Sequence, residues 1–153
     1  MLIQKFYDAF ARLDAEAMVS CYHEDIVFYD PAFGELRGDR VRSMWRMLCA
    51  SQQGKDFRVS YSDIVVNGDQ GSARWEAQYT FSKTGRRVHN KIQATFQFQD
   101  GLIINHKDDF DLHRWAAQAL GWPGRLLGWT GSFKGKLQKQ TNQLLENYTE
   151  ALP

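Results

Sequence analysis

Apolar residues recur at two spacings along this chain, and the change from one to the other divides it. Over the first third the period is helical. Phe6, Phe10, Leu13 and Ala17 share one side of a helix, and Asp14 is placed to cap a second, short one. Ile26 to Asp30 alternates as a short strand that Pro31 closes. Gly38 and Asp39 then open a third helix, with Val41, Met44, Trp45 and Leu48 as its apolar face.

From Phe57 the period falls to two. Phe57, Val59 and Tyr61 alternate with polar residues up to Asn67-Gly68, a strong hairpin signal. Trp75, Ala77, Tyr79 and Phe81 face one way, while Arg74, Glu76, Gln78 and Thr80 face the other. Thr84-Gly85 turns the chain into a strand on which Asn90, Ile92, Ala94, Phe96 and Phe98 share a side. Asp100-Gly101 turns it again, into Leu102 to Phe110. Three successive meander turns predict an antiparallel sheet, packed on one face and wet on the other. Helices followed by long hairpins predict an α+β fold with the helices laid on one face of the sheet. A further helix runs from Asp111 to about Leu120. Gly121-Trp122-Pro123-Gly124 interrupts it, and an amphipathic tail helix follows with Leu137, Leu144, Leu145 and Tyr148.

Composition narrows the function classes. The 153 residues suffice for one domain, divided here into a main body, 1–120, and an extension, 121–153, that belongs to it or to a dimer contact. Nineteen basic against eighteen acidic residues exclude a strong overall field for nucleic acid or anionic lipid. No apolar run approaches the roughly 20 residues of a membrane span. Lys5 and Asp8 interrupt any signal core, so a cytoplasmic protein is expected. Cys21 and Cys49 match no metal or redox spacing, and neither a metal nor a cofactor is expected. The 21 aromatic residues stand out against a hydrophobic content of only 43%. They either fill the concave side of a curved sheet as plain core or line a cavity there for a flat apolar ligand.

Polar residues at inward parity decide between the two. Asp30 shares a strand face with Ile26 and Phe28, and burial would raise the pKa of its carboxyl toward the range of a useful base. It equally suits the start of a turn before Pro31. In the last strand, a spacing of two puts Ile104, His106, Asp108 and Phe110 on one side. A carboxylate beside an imidazole orients it and raises its basicity, so His106 and Asp108 read as an acid–base pair or as a buried polar clamp. His23 and His113 are expected at helix ends in solvent, with His89 facing outward.

The stretches FYDAFARLDAEAMVSCYHEDIVFYDPAFGELRG (Phe6 to Gly38) and GRRVHNKIQATFQFQDGLIINHKDDFDL (Gly85 to Leu112) resemble the opening and the last two strands of SnoaL-like members of the nuclear transport factor 2-like superfamily. The resemblance implies a cone-shaped fold, with N-terminal helices packed on a strongly curved antiparallel or mixed sheet. It places Asp30 where ketosteroid isomerases hold their general base. The positions of their oxyanion donors, however, fall on Phe6 and Ala94, with Tyr7 one residue off and directed elsewhere, which argues against that activity. DDFDLHRWAAQALG (Asp108 to Gly121) is similar to limonene epoxide hydrolase. There Asp108 falls on the catalytic Asp and Phe28 replaces a water-binding Tyr, while the partner Arg-x-Asp falls on Trp75 and Ala77. The His-x-Asp of SnoaL-like cyclases is matched by His106 and Asp108.

Two functions are thereby implied. One is cofactor-independent isomerase, cyclase or hydrolase chemistry on a small apolar molecule bearing a carbonyl or an epoxide. Its catalytic residues would be Asp30, His106 and Asp108, in a pocket shaped by Phe6, Phe28, Trp45, Trp75, Tyr79, Asn90 and Phe96. The other is a non-catalytic ligand-binding module or dimeric scaffold. Family members pair through the sheet face, so a homodimer is expected. Trp122, Leu126, Leu127, Trp129 and Phe133, with Lys134, Lys136 and Lys139 nearby, could lid the pocket, pack on a second subunit or touch a membrane. A lid or dimer contact is expected.

Overall fold

The computed structural model describes all 153 residues. Two helices come first, α1 (Leu2–Ala11) and α2 (Ala15–Val19). The side chain of Asp14 accepts from the Ala17 amide and caps α2, as its position in sequence requires. Strands β1 (Tyr22–Asp30) and β2 (Gly34–Arg37) form a hairpin, and α3 (Asp39–Gln52) follows. Strands β3 (Arg58–Asn67), β4 (Gln70–Phe81), β5 (Arg86–Gln99) and β6 (Leu102–Asp109) make the meander, and α4 (Leu112–Leu120), α5 (Trp122–Leu127) and α6 (Gly131–Glu150) close the chain. The sheet has six strands in the order β2-β1-β6-β5-β4-β3, all antiparallel except the parallel pair β1 and β6. It is open and mixed, and α1 to α3 pack on its concave side to give a cone.

Three expectations need correction. The first strand starts at Tyr22 rather than Ile26, so His23 lies on it and is 9% exposed instead of sitting in solvent at a helix end. The short strand β2 was hidden by its four-residue length. Ile104 does not share the inner side with His106. The ladder between β5 and β6 slips between Gln97 and Phe98, which turns Ile103 inward in its place. His89 is exposed as expected, with its ring 3.3 Å from the diagonal neighbour Glu76.

Most of the apolar mass forms one cluster running from Ile3, Phe6 and Phe10 through Phe28 and Trp45 to Trp75 and Phe96. A smaller cluster joins Val88 on β5 to Trp115, Ala116 and Ala119 on α4. The tail helix α6 packs on the same body. Its Leu145 is fully buried in the main core, Thr141 donates to the Ala32 carbonyl at 2.7 Å and Asn142 to that of Phe33 at 2.8 Å. These bonds fix the β1–β2 turn that follows Asp30.

Candidate functional site

The parallel pairing of β1 with β6 sets Phe28 opposite His106 and Tyr29 opposite Lys107. Continued by one residue, this register brings Asp30 beside Asp108 on neighbouring strands, both on the inner side. Ala94 on β5 is the other neighbour of Asp108. The two carboxylates reach one cavity of about 460 Å³ between the concave sheet, α3, α4 and α6. Trp45, Trp75, Tyr79 and Asn90 are among its walls, as the strand parity predicts, and so are Phe57, Trp115 and Leu144. A second hollow, of about 450 Å³, lies on the other side of the sheet around Asn67, Gln70, Thr95 and Lys107. It is mostly polar and contains neither carboxylate.

Asp30 accepts two backbone hydrogen bonds on the same oxygen, Oδ1: from Ala32 at 2.9 Å and from Phe33 at 2.7 Å. The turn reading and the site reading of this residue are therefore compatible. Its Oδ2 has no protein partner and is not sealed from the cavity. Burial pushes the Asp30 carboxyl up to about 7, opposed by the Phe33 amide and reinforced by the nearby Asp108.

Asp108 also loads one oxygen. Oδ1 accepts from Trp75 Nε1 at 3.2 Å and from His106 Nε2 at 3.0 Å, leaving Oδ2 for the cavity. Behind it, His106 Nδ1 meets the Tyr22 hydroxyl at 2.8 Å, and Trp45 Nε1 donates to that hydroxyl at 2.8 Å. Indole nitrogens only donate. One assignment leaves no buried hydrogen unpaired: Trp45 donates to Tyr22, Tyr22 to Nδ1, and Nε2–H of a neutral imidazole to Asp108. The chain Trp45–Tyr22–His106 thus sets the tautomer that holds Asp108.

His106 itself has no exposed surface and does not line the cavity. Phe96 lies against its ring at 4.5 Å, Phe28 at 5.1 Å and Phe6 at 5.5 Å. The three phenylalanines expected in the pocket are therefore the packing around His106, one layer behind the wall. Tyr7 also departs from expectation. It points inward, is fully buried against Trp75 and Phe96, and its hydroxyl has no partner.

Sequence reasoning missed the role of Trp115, whose Nε1 donates to the Tyr79 hydroxyl at 2.8 Å. Because that oxygen accepts from an indole, its own hydrogen remains free for a ligand. Burial raises the Tyr79 pKa, with the Asp30 charge adding to it. A donor from a helix that follows the strands leaves no trace in strand periodicity. Nor is a lid formed by the loop after α4, since no residue between Gly121 and Phe133 lines the cavity. No three His, Cys, Asp or Glu side chains are grouped to hold a metal.

The fold is shared with solved structures of low sequence identity. A candidate polyketide cyclase from Xanthomonas campestris pv. campestris is similar at 24% identity and a TM-score of 0.61, over 76% of this chain and 93% of that one. An epoxide hydrolase of the limonene epoxide hydrolase-like kind from Mycobacterium tuberculosis is similar at 21% and 0.60, over 83% and 88%. A protein of ketosteroid isomerase-like fold from Catenulispora acidiphila, in complex with trimethylamine, is similar at 16% and 0.65, over 84% and 96%. No curated protein matches in sequence. The SnoaL-like domain model matches residues 3–106, from α1 to the buried histidine of β6, and the chain accordingly belongs to the SnoaL-like domain family.

Proposed function

We propose that this SnoaL-like protein carries out cofactor-independent proton transfer on a small apolar molecule bearing an activated C–H bond, with Asp30 as the base. The observation that carries the reading is the pair Asp30 and Asp108, each with an unpartnered carboxylate oxygen, in one aromatic cavity. A carboxyl near 7 is half ionised at neutral pH and strong enough to accept a proton next to a carbonyl. Asp30 takes the proton, the C–H electron pair moves onto the carbonyl oxygen, and the free Tyr79 O–H hydrogen-bonds the enolate. Return of the proton to another carbon completes an isomerisation; in a cyclisation the enolate carbon attacks a second carbonyl of the same molecule, and the alkoxide formed takes the proton back from Asp30. Asp108 is the second proton-transfer group, and His106 is its positioning residue.

The test is hydrogen–deuterium exchange at the α-carbons of a panel of cyclic ketones and β-dicarbonyl compounds, followed by NMR in D₂O. The native protein accelerates exchange, and Asp30→Asn removes at least about a hundredfold of that rate. Absence of exchange across the panel, with a folded protein that the compounds stabilise, overturns the catalytic reading. A second reading is then favoured. Two carboxylates among the faces of Trp45, Trp75, Tyr79 and Trp115 also suit a small organic cation, through charge and aromatic faces together. The Catenulispora protein of this fold was obtained with trimethylamine. Stabilisation by trimethylammonium that Asp108→Asn abolishes is the signature of such a ligand-binding module.

A further inference from the structure

The segment after α4 presents its apolar residues to solvent. Trp122 is 73% exposed, Trp129 72%, Leu127 57% and Leu126 51%. The packing explains why. Gly124 and Gly128 lie against α4 so closely that a Cβ on either would collide with Ala116. The smallest residues therefore face the body. Trp122 and Leu126, two positions away from Gly124 on either side, point the opposite way. Four large apolar side chains left outside a folded body mark a contact surface.

Along the sequence, the charge on both sides of this segment has one sign. Between Leu112 and Leu145 there are five basic residues, Arg114, Arg125, Lys134, Lys136 and Lys139, and no acidic one. The rest of the chain holds the other 14 basic residues and all 18 acidic ones. None of the five has a carboxylate within 4.0 Å, although nine other Lys and Arg residues of the chain do. A second copy meeting this face symmetrically would set the same cations against each other. Lys134 faces the body, its ammonium 6.0 Å over the Tyr29 ring, whereas Lys136 and Lys139 are exposed. Tryptophan and leucine beside exposed basic residues without a carboxylate partner fit an anionic lipid surface instead: rings and aliphatic chains enter the headgroup region, and the cations meet lipid phosphates and carboxylates.

We infer that the α5 face, with the basic first half of α6, docks the protein on an anionic membrane surface. This site is separate from the cavity, and its test uses no catalytic readout. The full chain is co-sedimented with vesicles of phosphatidylcholine alone and with vesicles containing about 30 mol% phosphatidylserine. Binding is expected to the second only, and is lost in about 1 M salt. Trp122→Ser with Trp129→Ser reduces partitioning more than tenfold. Lys136→Glu with Lys139→Glu reduces it by roughly thirtyfold, with the thermal melting temperature unchanged in both. No binding to the anionic vesicles, equal binding to both kinds, or full binding by the tryptophan double variant overturns the inference. So does a dimer that the double variant splits, because the patch is then an interface between copies.

Discussion

On the cavity wall, Asp30 and Asp108 each load one carboxylate oxygen with two hydrogen bonds and leave the other without a protein partner. One layer behind, Tyr22 and His106 pair every buried hydrogen they carry, and Tyr22 also accepts from the wall residue Trp45. The two layers are neighbours on the same strands, so burial alone does not separate them. What differs is the destination of the unused valence. Front-layer groups are anchored on one side and available on the other, as a reacting group must be. Back-layer groups are spent on each other, as a support must be. Substitutions in the back layer should therefore act first on stability, and those in the front layer on chemistry and pH dependence.

The largest effect belongs to the back layer. His106→Ala leaves the Tyr22 hydroxyl and Asp108 Oδ1 short of a partner and opens a hole among Phe6, Phe28 and Phe96. Cavity and orphaned polar groups together should cost about 3 to 5 kcal/mol, measured by urea unfolding. A loss of less than about 1 kcal/mol would mean that the stack supports nothing.

The front layer should show itself as a pH dependence. Asp30 is held near 7 instead of its usual 3.8, so between those values the folded protein keeps a proton that the unfolded chain releases. Stability from this group is complete below about pH 4, falls as pH rises toward 7 and is level above it. The gap corresponds to at most about 4 kcal/mol, and the partial exposure of Asp30 reduces it to roughly 2 kcal/mol. Asp30→Asn should flatten the slope and stabilise the protein at pH 8 by that amount, while it removes proton transfer. Identical pH profiles for the variant and the native protein would contradict the raised value.

How much of this could be read from residue spacing follows the same division. The alternation in β4 and β5 correctly puts Trp75, Tyr79 and Asn90 on the cavity side, because a period of two needs no knowledge of neighbours. Asp30 and Asp108 were legible as inward polar residues. Their adjacency was not, because it depends on the parallel pairing of two strands more than seventy residues apart. Phe6, Phe28 and Phe96 share the parity of the wall and differ only in depth, which periodicity does not encode. The exposure of Trp122 and Trp129 was unreadable for a related reason. It follows from glycines that let α5 sit flush on α4, a fact about two surfaces and not about one stretch of chain.

The smallest effect tests the exception in the back layer. Tyr7 is fully buried with its ring against Trp75 and Phe96, yet its hydroxyl has no partner. Burial raises its pKa well above the usual value, and the charge of Asp108 adds to this, so the hydroxyl stays protonated. It is the one side-chain nitrogen or oxygen fully sealed from solvent that lacks a partner. If the back layer serves stability alone, an unpaired hydroxyl there is pure desolvation cost, and Tyr7→Phe should stabilise the protein by about 1 kcal/mol. Its proton transfer rate should not change, since the hydroxyl does not line the cavity. A stabilised variant that has lost activity would move Tyr7 to the front layer, as a donor kept unpaired in the free protein because its partner is the ligand.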